Sequence, residues 1–245
     1  MRALYLKEIR SFLSSIIGYV FILIFLIGSG LFHWIISGDI QTNLLEGTEA
    51  DLIPFFNLSP VIFLILIPAI TMRSVAEERR TGTIELLFTR PISDLKILLA
   101  KYFAGVTLLV IALVPTLIYY ISMYNLALEP ESFDHGATIT SYLGLILLGA
   151  TFVAIGTFAS TLTSSQIVSF ILAMFLCWLF YDGFTLLGSF NLMGKFDSVI
   201  QYCGISFHYD GIKRGVIDTK NIVYFLSIIT LFIYAALTVI KSLKK

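Results

Sequence analysis

The chain has 245 residues and a formal net charge of zero, with 58% hydrophobic and only 13% charged residues. Its mean hydropathy is +0.92, whereas about a quarter of the residues in a soluble domain are charged, because water must wet its surface. The composition therefore excludes an ordinary soluble domain, and the balanced charge gives no sign of a basic groove for nucleic acid.

The basic segment 1–15 comes before the first long apolar run. Tyr5, Ile9 and Phe12 repeat at helical spacing, and Lys7 lies on the opposite face of that helix. An amphipathic helix along the membrane interface and a basic flank that only sets topology both fit this pattern. The charge-free run over 11–38 is longer than the core of a signal peptide, so an uncleaved helix is expected.

Long charge-free windows predict the membrane spans, because a span needs about 20 mostly apolar residues and a charge at mid-bilayer is costly. The window 136–181 would be roughly 70 Å long as one helix, so the polar string from Ser160 to Gln166 is expected to form a turn. The sequence therefore predicts an all-α integral membrane protein, a single domain over 1–245 with six transmembrane helices. The predicted spans lie near 16–36, 54–72, 103–123, 139–159, 167–187 and 221–240.

Two features inside the predicted spans have alternative explanations. Asp182 marks a helix end or break in the fifth span, or else a buried functional carboxylate. Small residues in the fourth span allow close helix contact, or reflect packing alone; they are Gly144, Gly149, Ala150 and Gly156. No span carries Asp, Glu, Lys or Arg near mid-depth, which argues against proton coupling and for energy supplied from outside the membrane.

The segment 183–220 before the last span contains six glycines and two apolar runs, 184–190 and 199–207, that are too short to cross a bilayer. Short half-helices that re-enter the outer leaflet would explain these runs, provided that protein buries their backbone. An ordinary packed external loop is the alternative.

The distribution of Lys and Arg predicts the orientation. Residues 1–15, the loop 73–101 and the C-terminus carry twelve of the sixteen basic residues, and the segment 183–220 carries the other four. The first and third loops carry only acids, namely Asp39, Glu46, Glu49, Asp51, Glu129, Glu131 and Asp134. Both termini are therefore expected in the cytoplasm.

The loop 73–101 predicts a short helix between two breaks. Gly82 can end a charged helix in the left-handed conformation, and Thr83 can cap the next helix. Pro91 forces Arg90 out of helix, and Ser93 caps the run into the third span. A short helix that is both charged and apolar suits docking in a groove on another protein. A solvated basic linker that touches anionic lipid is the alternative.

Motifs for catalysis are absent from the sequence. A phosphate-binding loop of the form G-x-x-x-x-G-K-[ST] is missing, so ATP hydrolysis is expected in a separate subunit. Cys177 and Cys203 fit neither a disulfide framework nor a metal site. His33, His135 and His208 are expected to be interfacial or loop histidines. We therefore predict no catalytic, cofactor-binding or metal-binding residue in this chain.

The string E-E-R-R-T-G-T-I-E-L-L-F-T-R-P-I-S at 77–93 resembles the signature of type 2 ABC exporter permeases, Gly-Thr-x-Glu-Leu-Leu followed by Pro-x-Ser. The segment 7–12, Lys-Glu-Ile-Arg-Ser-Phe, resembles the interface helix of that family, and 183–220 resembles its external re-entrant helices. The resemblance covers the whole chain. Within the family, the chain is most similar to the permease subunit of the gliding-motility-associated ABC transporter of Bacteroidetes.

This resemblance implies a coupling helix in the 73–93 loop that sits on a separate nucleotide-binding ATPase, which binds ATP and Mg. The ATPase-coupling residues that it implies are Glu77, Glu78, Arg79, Arg80, Gly82, Thr83, Glu85, Leu86, Leu87, Phe88 and Pro91. Other implied partners are a second permease copy or paralogue, an accessory subunit with a periplasmic domain, and membrane lipid. A non-transporting scaffold that transmits force to periplasmic partners is the main alternative, and a secondary transporter or channel is a third.

Overall fold

The structure is a computed structural model that describes residues 1–36, 43–45, 51–88, 92–127, 133–190 and 194–244, with the backbone alone for 86–88, 195 and 196. The acidic residues at 39, 46, 49, 129 and 131, in the predicted first and third loops, lie outside the described residues. So do Arg90 and Pro91.

The described residues form α-helices with one 3₁₀ turn at Val114–Thr116 and one π turn at Leu179–Gly183. The helices are α1 (Arg2–Ser14), α2 (Ile16–Trp34), α3 (Ile53–Thr71), α4 (Ala76–Thr81), α5 (Thr83–Phe88), α6 (Asp94–Leu113), α7 (Leu117–Leu126), α8 (His135–Leu162), α9 (Gln166–Trp178), α10 (Phe184–Ser189), α11 (Lys195–Tyr202), α12 (Ile205–Ile212) and α13 (Thr219–Ser242).

Six helical units of the described chain are long and apolar enough to cross a membrane, which confirms the prediction of an all-α protein with six spans. These units are Ile16–Trp34, Ile53–Thr81, Asp94–Leu126, His135–Leu162, Gln166–Ser189 and Thr219–Ser242. Several run beyond the predicted spans; the third begins at Asp94 instead of near 103. A helix satisfies its own backbone hydrogen bonds, so it continues into water without needing an apolar surface there.

Helix α8 is the centre of the bundle, in contact with α3, α6, α9, α12 and α13. Its glycines lie where neighbouring side chains come closest. A Cβ at Gly144 would lie 2.5 Å from Ile212 Cγ2, and one at Gly149 would lie 2.4 Å from Leu109 Cδ2. A Cβ at Gly156 would lie 2.1 Å from Thr71 Oγ1. The small residues of this span therefore do allow close helix contact.

The chain reverses between α8 and α9 within the predicted polar string. Thr163 has an extended backbone, and the hydroxyl of Ser165 accepts a hydrogen bond from the Val168 N–H, which caps α9. Helix α9 then continues through the π turn into α10. Asp182 lies in that turn and is half-buried, so the helix widens at this residue and does not end there.

The short helices α10 to α12 are anchored on the bundle. The Tyr209 hydroxyl, which is buried, donates a hydrogen bond to the Phe56 carbonyl at 2.9 Å. The Ser141 hydroxyl on α8 donates to the Lys213 carbonyl just after α12 at 2.8 Å. These two hydrogen bonds hold α12 on the bundle, and the re-entry of the segment into the outer leaflet stays a prediction.

Helix α1 meets α2 at a sharp corner made by Ser15, whose backbone is extended with φ −96° and ψ 147°. The Ser15 hydroxyl accepts a hydrogen bond from the Gly18 N–H at 3.4 Å. A Cβ at Gly18 would lie 2.1 Å from the Phe12 carbonyl oxygen. Glycine at this position therefore permits α1 to fold back beside the bundle.

We predict that Gly156→Ala lowers the free energy of unfolding by about 1–3 kcal/mol, the usual cost of overpacking a core. The new methyl group would collide with Thr71, whose hydroxyl is fixed by a hydrogen bond to the Ile67 carbonyl. Thermal unfolding of the detergent-solubilised protein measures the effect. Gly28→Ala is the matched control, because a Cβ there meets nothing within 4 Å; equal unfolding temperatures of the two variants would contradict the packing argument.

Candidate functional site

One end of the bundle, here called the basic end, brings together α1, α4, α5, the start of α6, the last turn of α8 and the end of α13. An ion pair between Lys244 and Asp94 joins the C-terminus to α6. The loop 73–101, which carries the sequence signature, lies at this end. We therefore regard the basic end as the candidate functional site.

A buried ammonium group ties three of these elements together. Lys101 on α6 places its Nζ 2.8 Å from Glu78 Oε1 on α4 and 3.2 Å from Glu8 Oε1 on α1. The Lys101 side chain is only 3% exposed, and those of Glu8 and Glu78 are 12% and 17% exposed. Because water is largely excluded, both carboxylates depend on this buried cation for compensation of their charge. The exposed Lys7, 4.0 Å from Glu8, adds little because solvent screens it.

A second contact fixes α1 along α6. The hydroxyl groups of Tyr5 and Thr107 lie 2.8 Å apart, in a hydrogen bond that is partly buried. The Thr107 hydroxyl also donates to the Phe103 carbonyl, which leaves the Tyr5 hydroxyl as the donor in the contact with α1. Helix α1 is therefore bound to α6 at two levels, and its placement at a membrane interface remains a prediction.

Ser160, in the last turn of α8, holds the start of α4. Its hydroxyl oxygen accepts the backbone N–H groups of Val75 at 2.8 Å and Ala76 at 3.0 Å. The same hydroxyl lies 3.3 Å from the Met72 carbonyl, to which it donates. The first N–H groups of a helix have no acceptor within the helix, so this distant serine caps α4 from outside.

Arg79 makes a further connection between α4 and α8. Its guanidinium donates to the Thr161 carbonyl at 2.6 Å, at the C-terminal end of α8. A cation is favourable there because the last carbonyls of a helix carry partial negative charge. Arg73 and Glu77 form a more exposed ion pair at 3.0 Å, which contributes little to stability because solvent screens it.

Helix α5 projects from this anchored base. Gly82 has the left-handed backbone that its position predicts, with φ 72° and ψ 1°. The Thr83 hydroxyl lies 2.9 Å from the Thr81 hydroxyl and 3.5 Å from the Glu78 carbonyl. Thr83 is the first residue of α5 and not the cap before it, so its side chain stabilises the bend between the two short helices.

The structure divides the predicted coupling residues into groups. Glu78 and Arg79 are bonded to the bundle, and Glu77 is paired with Arg73. Four others are exposed: Arg80, Gly82, Thr83 and Glu85. Leu86, Leu87 and Phe88 are helical, and Pro91 lies outside the described residues.

Sequence reasoning did not identify Glu8, Lys101 and Ser160 as parts of the site. Two of them left a signal in the sequence. Glu8 is the single acid in the basic segment 1–15, and Lys101 directly precedes a charge-free run up to residue 128. A charge at the edge of an apolar run is expected to find a partner there.

The described residues contain no group of three or more His, Cys, Asp or Glu side chains that could hold a metal ion. His33 is buried near the end of α2, where its Nδ1 lies 2.5 Å from the Ser29 carbonyl oxygen; its position at the membrane interface stays a prediction. His208 is stacked on Tyr224 with 3.9 Å between the ring centroids. Both histidines lie outside the basic end.

A family model described as ABC-2 family transporter protein matches residues 2–244. The match covers nearly the whole chain and agrees with the resemblance to type 2 ABC exporter permeases. No curated protein matches the chain significantly.

We predict that Lys101→Met lowers the free energy of unfolding by about 3 kcal/mol, because two largely buried carboxylates lose their buried cation. The triple variant with Glu8→Gln, Glu78→Gln and Lys101→Met should recover most of that loss. Thermal unfolding of the purified protein provides the comparison. Lys7→Met is the control, since Lys7 is 64% exposed and lies 4.0 Å from Glu8; an equal loss in the control would show that net charge, and not burial, sets the effect.

Ser160→Ala should lower the free energy of unfolding by about 1–3 kcal/mol, the cost of leaving buried N–H groups without an acceptor. The start of α4 should also become more accessible to hydrogen exchange than in the wild type. Ser242→Ala is the matched control, because the Ser242 hydroxyl is exposed and bonds only within its own helix turn. Unchanged exchange at Val75 and Ala76 would refute the capping role of Ser160.

Proposed function

We propose that this chain, which belongs to the ABC-2 family of transporter proteins, receives the conformational changes of its ATPase through the 73–93 loop. Membership of the family makes the chain a multi-pass membrane-spanning subunit of an ABC transporter, with a separate ATPase subunit as its partner. The binding of ATP and Mg, and the hydrolysis step, are assigned to that partner.

The observation that carries this proposal is the contrast between the two faces of the loop. Its inner face is bonded to the spans through Glu78, Arg79 and the backbone of Val75 and Ala76. Its outer face presents Thr83 and Glu85 to solvent. A partner that moves α5 would therefore act on α6 and α8 through short, buried contacts.

On this proposal, α5 is the docking helix. Glu85 and Thr83 would make polar contacts with the ATPase, and residues 86–88, Leu-Leu-Phe, would fill an apolar groove on its surface. Glu78 and Arg79 would serve as internal connections, a different role from the direct ATPase contact that the sequence alone suggests. Movement of α5 would then tilt α8, on which most of the bundle packs.

The wider assembly follows from the family and from the charge distribution. We propose pairing with a second permease copy or paralogue, a bacterial inner-membrane location with both termini in the cytoplasm, and no contact with nucleic acid. The resemblance to the gliding-motility-associated permease supports membership of such a complex, with an accessory subunit that has a periplasmic domain. In that complex, transmission of force in place of solute transport is the alternative function.

Charge reversal on the exposed face of α5 tests the docking proposal. Glu85→Arg should reduce the amount of ATPase that co-purifies with the chain by at least about tenfold, since like charges brought together at an interface cost several kcal/mol. Asp210→Arg at the opposite end is the control, because this half-exposed acid pairs only with Lys213 among the described residues. Gentle extraction from the native membrane, followed by quantitation of the ATPase, gives the ratio.

If the Glu85→Arg and Thr83→Arg variants both co-purify with as much ATPase as the wild type does, the assignment of α5 as the docking helix is wrong. ATP-dependent movement of solute by the wild-type complex in reconstituted vesicles separates solute transport from force transmission. Wild-type complex that hydrolyses ATP without moving any solute would support the force-transmitting alternative.

A further inference from the structure

A cavity of about 370 Å³ lies between α4 and the turn that joins α8 to α9. Its walls are formed by Arg80, Ser164, Ser165, Gln166 and Ile167. The polar groups on these residues are a guanidinium, two hydroxyls and an amide, and none of the five residues is acidic. A cavity lined in this way offers hydrogen-bond donors and positive charge, which suits an anion and not a metal cation.

Arg80 is the cation of this cavity, and it has no ion pair or hydrogen bond with any described residue. The charged residues next to Arg80 in the sequence already have partners elsewhere. Glu77 is paired with Arg73 at 3.0 Å and Glu78 with Lys101 at 2.8 Å, while Arg79 donates to α8. The positive charge of Arg80 is therefore uncompensated beside the cavity.

The N-terminus of α9 supplies further donors. Helix α9 has 13 residues, and its first N–H groups, those of Gln166 and Ile167, have no acceptor within the helix. The Ser165 hydroxyl oxygen accepts from the Val168 N–H at 3.5 Å, so its proton remains available to a ligand. The partial positive charge at a helix N-terminus favours an anion at this point.

Gln166 gives an independent sign of a missing ligand. Its Nε2 is buried and has no hydrogen-bond partner among the described residues. A buried donor without an acceptor costs about 1–3 kcal/mol. Gln166 also lines the cavity, so an oxyanion there would supply the acceptor once the amide turns toward it.

The surface beside the cavity indicates where such an anion comes from. Ile167, Val168 and Ile171 are 72%, 52% and 55% exposed and form an apolar strip that starts at the cavity and runs along α9. In a membrane span, exposed apolar residues of this kind meet lipid chains. The cavity lies at the N-terminal end of the apolar unit Gln166–Ser189, where a spanning helix would meet lipid headgroups.

We propose that this cavity binds a phosphate group, and that the phosphate belongs to the headgroup of an anionic phospholipid whose chains lie along α9. Arg80 and the N-terminus of α9 hold the phosphate oxygens, and the Gln166 amide donates to one of them. The bound lipid joins α4 to α9, a connection separate from those that α4 makes with α6 and α8. This site does not depend on an ATPase.

Native mass spectrometry and thermal unfolding of the purified chain test the site. The probes are phosphatidylglycerol, phosphatidylcholine and inorganic phosphate. The wild type should retain phosphatidylglycerol at least about tenfold more tightly than Arg80→Gln and Gln166→Leu, because charge-assisted hydrogen bonds are lost. Arg10→Gln removes the same charge from an exposed position on α1 and should keep the wild-type affinity.

The probes distinguish the source of the phosphate. Protection by phosphatidylglycerol, with little from phosphatidylcholine or inorganic phosphate, supports the lipid site. Equal protection by inorganic phosphate, lost in Arg80→Gln, keeps the anion site and overturns its assignment to lipid. Equal binding of the two lipids, lost for both in Arg80→Gln, keeps the phosphate site and overturns its preference for anionic lipid. Lipid binding that Arg80→Gln leaves unchanged, or an equal loss in Arg10→Gln, overturns the site altogether. Arg80→Gln changes an exposed side chain, so its result does not depend on the folding of the Gln166 variant.

Discussion

The buried ammonium group of Lys101 is the interaction on which the arrangement of the basic end depends. It holds Glu8 of α1 and Glu78 of α4 against α6. No other ion pair among the described residues connects these helices. In a site with little water, a carboxylate that loses its buried cation bears most of the cost of its desolvation. The same dependence makes the position of α4 well defined: Glu78 has one place where its charge is compensated.

Helix α8 is the second fixed element, and its sequence suits that role. Glycines at 144, 149 and 156 let α12, α6 and α3 approach its backbone. Its last turn then receives the loop, through the Ser160 hydroxyl and the Thr161 carbonyl. Because the cores of helical bundles are close-packed, a displacement of the loop would be passed to several spans together instead of being absorbed locally.

The loop therefore combines an anchored inner face with an open outer face. On the proposed function, α5 receives the ATPase while α4 transmits the movement to α6 and α8. The phosphate site proposed beside Arg80 would add α9 to the elements that α4 joins. The lipid composition around the protein would then affect how firmly the loop is held, without any change in the contacts of α5 with the ATPase.

The sequence by itself determined the spans, since the cost of burying a charge in lipid confines charged residues to the ends of helices, and this pattern is visible without a structure. It also determined the bend at Gly82, because a left-handed residue after a helix favours glycine locally. The contacts of Glu78 and Arg79 with the bundle were decided only by the tertiary structure. Their partners Lys101 and Thr161 are 23 and 82 residues away, and a charged residue in a loop has the same sequence signature whether it faces a partner or its own bundle. Glu8 meets Lys101, 93 residues away, only because α1 packs on α6. Ser160 meets Val75, 85 residues away, only because the end of α3 packs beside the end of α8.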